Sequence, residues 1–234
     1  MPAISKSRFF EAVRTWSART VAAAVREDAG LVSRRDPSGR TALHLCARQK
    51  ASRAMKAPDA IATARVLLAA GADLDAIHPI RDGHEIFPAT AVWHAVAWGR
   101  NRKLAAYLLR RGADPNNCMF AMVYADDLPT ARLLRRHGAR IDEVFHQETP
   151  LIYAMRHRRT RFGEWLVREG ADPNFNDGRG FTALHHAVRR RLPDTTLRLL
   201  LKRGARVEAR SRDRVPVGRL ATRAQRRLLG IAES

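Results

Sequence analysis

Residues 170–205 read GADPNFNDGRGFTALHHAVRRRLPDTTLRLLLKRGA, one complete structural unit and the start of the next. Thr182 stands before an apolar run of Ala183, Leu184, Ala187 and Val188, placed to cap a helix N-terminus with its hydroxyl. Pro193 and Asp194 break that run and restart a second helix, whose apolar face is Thr196, Leu197, Leu199, Leu200 and Leu201. Gly204 follows Lys202 and Arg203, a helix C-terminus with the left-handed position that glycine fills without strain. Upstream, Asp172-Pro173-Asn174 and Asp177-Gly178 are turn chemistry, so a tight finger links one helix pair to the next. Neither short helix can bury its apolar face alone, so the unit needs neighbours.

The chain supplies them. Gly-Ala pairs followed by a turn recur at Gly71, Gly112, Gly138, Gly170 and Gly204. The helix start recurs as TALH at Thr41, TAVW at Thr90, TPLI at Thr149 and TALH at Thr182, with 33 residues from Thr149 to Thr182. Leu-Leu precedes the turn at Leu67-Leu68, Leu108-Leu109, Leu133-Leu134 and Leu199-Leu200. By this period and signature the sequence resembles the ankyrin-repeat family over nearly its whole length. The resemblance implies an all-α solenoid of about six stacked helix pairs, with short hairpin-like fingers and a truncated C-terminal cap. It names no partner, because one scaffold serves many.

On this reading residues 1–234 form a single ankyrin-repeat domain, with an N-terminal capping repeat at 5–35 and a C-terminal cap at 210–234. Between them lie repeats at 36–76, 77–116, 117–143, 144–176 and 177–209. Thr41 to Gly71 spans 30 residues against 21 from Thr149 to Gly170, so an insertion around Gln49 to Pro58 separates two helices. The next finger is enlarged by IHPIRDGHEIFP at 77–88. The fourth repeat lacks the motif threonine and histidine; only 26 residues from Gly112 to Gly138 leave its finger nearly absent.

The net charge is +20, with 38 arginines and five lysines. Arginine-rich, lysine-poor usage follows from a GC-rich, bacterial genome as readily as from selection for polyanion binding. Residues 189–234 hold 14 Lys+Arg against 4 Asp+Glu, half of the net charge; such a basic end binds polyanions or is a solvated cap. Cys46 and Cys118 fall on the core side of first helices and read as small buried hydrophobes. The N-terminus has no secretory pattern, and no apolar run approaches the ~20 residues of a membrane span. The expected compartment is the cytoplasm, with export lacking a cleavable signal left open. A monomer without membrane contact is expected.

No Ser-His-Asp order, Gly-rich phosphate loop or H-E-x-x-H is present, so no catalytic residue, metal or cofactor is expected and the chain reads as a non-enzyme. His44 and His185 hold the T-x-L-H position, where the resemblance implies that the imidazole ties neighbouring fingers together. His185-His186 beside Asp177 lacks zinc-type spacing. His78 and His84, with Asp82 and Glu85, read as a surface loop.

The residues just past each T-x-L-H-x-A segment carry the binding expectation: Arg48, Gln49, Trp98, Tyr124, Arg156, His157, Arg189 and Arg190. The resemblance implies that these positions face the concave groove, and stacking at ~10 Å lines them up. Aromatic and arginine side chains are the usual interface anchors. The expected function is a non-enzymatic protein–protein interaction module, docking an acidic or mixed surface of another protein against the groove and finger tips. The alternative is nucleic-acid or other polyanion binding through the Arg-rich groove and C-terminal cap.

Overall fold

The computed structural model describes residues 5–232. Its first helices are α1 (Lys6–Arg14), α3 (Ala42–Arg48), α5 (Ala91–Ala97), α7 (Met119–Ala125), α9 (Pro150–Arg156), α11 (Ala183–Arg189) and α13 (Val217–Leu220). Each is followed by its partner: α2 (Ala18–Glu27), α4 (Ala57–Ala69), α6 (Arg102–Arg110), α8 (Leu128–Arg136), α10 (Thr160–Arg168), α12 (Asp194–Lys202) and α14 (Arg223–Leu229). A 3-10 turn spans Ala29–Val32.

The motif threonines open first helices. Thr90 Oγ1 accepts from the Trp93 N–H and Thr149 Oγ1 from the Ile152 N–H, both at 3.3 Å. Where histidine stands three residues on, it takes the part that Glu or Gln plays in a capping box. His44 Nδ1 accepts from the Thr41 N–H at 3.1 Å and meets the Thr41 hydroxyl at 2.8 Å. His185 repeats this with Thr182 at 3.1 and 2.9 Å. Five of the turns between paired helices pass through a left-handed residue, Trp16, Arg100, Asp126, Arg158 or Arg191; those after α3 and α13 do not. The glycine of each Gly-Ala pair closes the second helix at φ between 86° and 97°, where a side chain would be strained.

The chain divides into two compact units, one holding the residues through Ala121 together with Pro129–Ala139, the other Met122–Leu128 and everything from Arg140. In the first unit α1 packs on α3 and α3 on α5, while α2 packs on α4 and α4 on α6, giving two layers of helices. Phe9, Val13, Val21, Leu43, Leu45, Leu67, Val92, Leu104 and Leu108 are buried between them. Each such large side chain contributes about 1.5–3 kcal/mol on leaving water. Trp16 Nε1 donates to the Cys46 carbonyl at 2.9 Å, fastening the capping repeat to the next. Cys46 and Cys118 are fully buried and form no disulfide among the described residues, in keeping with the sequence reading. Burial pushes the Cys46 thiol up to about 12.

In the second unit α9 packs on α11 and α11 on α13; behind them α10 packs on α12 and α12 on α14. Leu151, Ile152, Phe162, Leu166, Leu184, Leu197, Leu200 and Val217 form its core.

Fingers project between pairs. Single antiparallel bridges close them at Arg35 and Thr41, Phe145 and Glu148, Asn176 and Thr182, and Arg210 and Pro216. Among the described residues the fourth repeat has no such bridge, as its short spacing implied. The enlarged finger departs from the surface loop read in the sequence. It is an antiparallel hairpin of β1 (His78–Asp82) and β2 (Glu85–Ala89), in register from His78 opposite Ala89 to Asp82 opposite Glu85. Asp82-Gly83 supplies the turn, with Gly83 at φ 60°, and Ile80 pairs with Phe87 across the two strands; the other regular elements of the described residues are helical.

Candidate functional site

In the first unit, the C-terminal ends of α3 and α5 meet. A Cβ on Gly99 would collide with the Ala47 carbonyl oxygen and stand 3.1 Å from that of Gln49, so only glycine permits the approach. The approach sets the Arg48 guanidinium over the Trp98 ring, 5.9 Å from its centroid, a cation–π geometry. Trp98 is 50% exposed and edge-on to Trp93 at 6.4 Å; Trp93 in turn meets Phe87 of β2 at 5.1 Å. Arg48 is half-buried, which lowers its pKa. Gln49 sits beside it, but its amide donates to the Leu45 carbonyl at 3.2 Å, so it ends α3.

Beneath this pair lies a chain of three imidazoles that the sequence did not join. The Ser38 carbonyl can only accept, so His78 Nε2 carries a proton and donates to it at 2.9 Å. Neutral His78 then accepts at Nδ1, and His94 Nε2–H donates to it at 3.0 Å. That leaves His94 Nδ1 unprotonated and buried with no partner. Burial, then the charges of His44 and His78, hold His94 down to about 2. Burial likewise draws His44 to about 4, against the pull of the Ala76 carbonyl. His78 is lowered for the same first reason. These rings bind the hairpin finger to α5 and to the finger before it. His78 is therefore a half-buried strut, which corrects its reading as loop surface.

In the second unit, a cavity of about 510 Å³ opens between fingers and first-helix ends. Finger residues His146, Gln147, Glu148, Asp177, Gly178, Arg179 and Arg212 form its walls; Arg156 of α9 and His186, Arg189 and Arg190 at the end of α11 complete it. The fingers fit tightly. Gly180 has φ 79°, and a Cβ on it would stand 2.6 Å from the Arg212 nitrogen, which itself donates to the Arg179 carbonyl at 2.9 Å. His185 Nε2–H donates to the Val215 carbonyl at 3.3 Å, the finger-to-finger tie that the resemblance implied.

Both carboxylates of the cavity are engaged. Arg156 Nη1 lies 2.8 Å from Glu148 Oε1, and His186 Nε2 lies 2.9 Å from Asp177 Oδ2. Burial alone would raise the Asp177 pKa, but the Phe181 N–H, His186 and the Arg179 N–H hold it below the usual value. Burial outweighs the pull of Arg156 at Glu148 and raises its pKa. Burial lowers His186 despite Asp177.

The structure places the residues expected from the sequence in separate groups. Arg48 and Trp98 touch in the first unit; Arg156, Arg189 and Arg190 share one cavity in the second. His157 stacks on Tyr153 at 4.2 Å outside the cavity lining, its pKa lowered by burial and by Arg156, Arg190 and Arg159. Tyr124 is 69% exposed, and its carbonyl accepts from Arg159 at 3.3 Å. The sequence reading missed Arg179 and Arg212. Their signal was the finger spacing, each lying one or two residues past the Asp or Ser that starts the turn. No helix among the described residues is long and apolar enough to cross a membrane.

Comparison with known proteins bears on these surfaces. A family model of ankyrin repeats in three copies matches residues 118–211, and a single ankyrin-repeat model matches residues 38–79. No curated protein matches the chain. Among solved structures, the human ASB11 ankyrin repeat domain superposes with a TM-score of 0.68 at 19% identity, over 97% of this chain and 98% of that one. The ankyrin repeat domain of Bcl-3, described as a unique member of the IkappaB protein family, gives 0.71 at 22%, over 95% and 96%. The fold is that of an ankyrin-repeat solenoid. Ankyrin repeats are in general protein–protein interaction modules.

Proposed function

Since the chain belongs to the ankyrin-repeat family, we propose that it is a non-enzymatic module that binds a protein partner with an acidic or mixed surface. Binding uses first-helix ends and finger tips. The observation that supports this most is Trp98, half exposed yet held by Arg48 and Trp93 above a glycine contact. An aromatic ordered before the partner arrives loses little entropy on docking, and tryptophan with arginine is the composition of interface hot spots. The excess of arginine steers an acidic partner and adds to its association rate. The His186–Asp177 pair, joined at 2.9 Å with side chains 5% and 7% exposed, reads as a structural tie of the finger to α11.

The test is capture of the partner from nuclease-treated lysate of the native cell, followed by titration of the purified partner. Trp98→Ala is expected to weaken it by about 2 kcal/mol, roughly thirtyfold. The double reversal Arg132→Glu with Arg198→Glu, at exposed positions on α8 and α12, should change the dissociation constant less than about threefold. Loss of capture on nuclease treatment, or equal weakening by the reversal, sinks the protein-binding reading in favour of nonspecific polyanion attraction.

A further inference from the structure

The cavity of the second unit differs from an ordinary small-molecule pocket, which is lined mainly by apolar and aromatic side chains. Its lining has no aliphatic, phenyl or indole group. Five of its side chains are guanidiniums, against two carboxylates. Arg156 is committed to Glu148, and Asp177 to His186. Arg179, Arg189, Arg190 and Arg212 are exposed and form no ion pair among the described residues. The net excess of three positive charges is therefore carried on four free forks around one concavity. Like charges so gathered repel one another, and an anion placed between them relieves that repulsion.

We propose that this cavity receives a phosphomonoester carried on a peptide: a phosphorylated side chain of the protein partner. The inference rests on the protein-binding reading and names what one part of the surface recognises. A phosphomonoester carries a charge of about −1.5 to −2 and three strong acceptor oxygens. Guanidinium forks meet phosphate oxygens in pairs, and arginine clusters are a recurring means of reading phosphorylated segments. One carboxylate would leave most of these donors unused. A nucleic-acid strand fits less well, because binding of single strands relies on a run of aromatic platforms for the bases, and the lining offers no phenyl or indole ring and only two imidazoles, of which His186 is buried against Asp177. The walls preorganise the site. Asp177 accepts from the Arg179 and Phe181 N–H groups at 2.8 and 2.9 Å, and the Arg212 N–H is fixed on the Arg179 carbonyl. The finger backbone is set before the ligand arrives.

The test is an amide-shift NMR titration of the full chain with acetyl-Gly-Gly-phosphoserine-Gly-Gly-amide. Parallel titrations use the unmodified serine peptide, inorganic phosphate and an oligo-dT strand at the same salt. The phosphopeptide is expected to shift the amides of Gly178 to Gly180 and of Arg212, and to bind about tenfold or more tightly than either the serine peptide or inorganic phosphate. Arg189→Gln with Arg190→Gln should weaken it by about tenfold or more, while Arg132→Gln with Arg198→Gln leaves it unchanged. No shift at millimolar phosphopeptide, shifts confined to other residues, or equal binding of the serine peptide would overturn the proposal. So would inorganic phosphate or oligo-dT binding as tightly, or equal weakening by the control variant. Failure here with Trp98→Ala still weakening the native partner removes only the phosphate reading and leaves the protein-binding one standing.

Discussion

Lowering the pH from about 7.5 to about 4.5 strikes the first unit at its histidine chain. His44 and His94 are neutral in the folded protein, held to about 4 and about 2 by burial first, with His78 adding to both and His44 to His94. In the unfolded chain both return to the ordinary value of 6.5. Their folded pKa values are depressed, so the stability they contribute is complete above pH 6.5 and is lost as the pH falls towards 4. Each excluded proton costs about 1.4 kcal/mol per pH unit. Two protons excluded over roughly two units, from 6.5 to 4.5, give about 5 kcal/mol. A domain has only about 5–15 kcal/mol in total, so the loss is decisive. Asp36, depressed from 3.8, acts only at lower pH, since its contribution goes as the pH falls through 3.8 and below. His185 and His186 in the second unit are also depressed and act in the same direction. Two readouts are combined. In a Trp165→Phe background the remaining tryptophans, Trp16, Trp93 and Trp98, all lie in the first unit, so urea midpoints followed by tryptophan fluorescence report on it; Trp93 is edge-on to His94 at 5.2 Å. Ring-proton NMR then assigns the protons residue by residue. The expected result is a midpoint that falls steadily from pH 6.5 to 4.5, with the His94 ring silent over that range and the His44 ring beginning to titrate only near its lower end. A flat midpoint, or either ring titrating near 6.5, would refute the tautomer chain.

Two further outcomes follow from packing. Leu200 is fully buried in α12, which packs on α10, α11 and α14; Leu200→Ala should cost about 2–5 kcal/mol as a core truncation, and a urea-derived loss below about 1 kcal/mol would contradict the stacking account. Native-state hydrogen exchange should find residues 118–134, in the repeat without a bridged finger or T-x-L-H cap, opening more readily than 182–200, because repeat stability sums unit and interface terms. Equal protection in the two segments would show that the missing motif residues matter little.

The fold was legible because its signals are local. A threonine before an apolar run, a glycine after a basic helix end and a fixed spacing between them each act within a few residues, and each reappears as a cap, a left-handed turn or a bridge. The hairpin at 78–89 was less legible because its strands are five residues long and carry Pro79 and Pro88. Proline removes a backbone donor, so it reads as a loop signal even where, as here, the two prolines sit opposite each other on an isolated pair of edges.

The candidate site was legible only where its residues share a register. Arg156, Arg189 and Arg190 follow equivalent motif positions, and equivalent positions in stacked units face the same way. Arg179 and Arg212 belong to the same cavity, but they come from fingers, whose tips are placed by contacts between repeats. A glycine at 180 with no room for a Cβ, and an Arg212 N–H held on the Arg179 carbonyl, decide where those guanidiniums stand. The histidine chain was hidden for the same reason. Ser38, His78 and His94 lie 40 and 16 residues apart along hydrogen bonds that no periodicity encodes. Their protonation states follow from one fact, that the Ser38 carbonyl can only accept. Periodicity therefore predicts which side chains share a face, and donor–acceptor accounting across fingers is needed to predict which of them remain free to meet a partner.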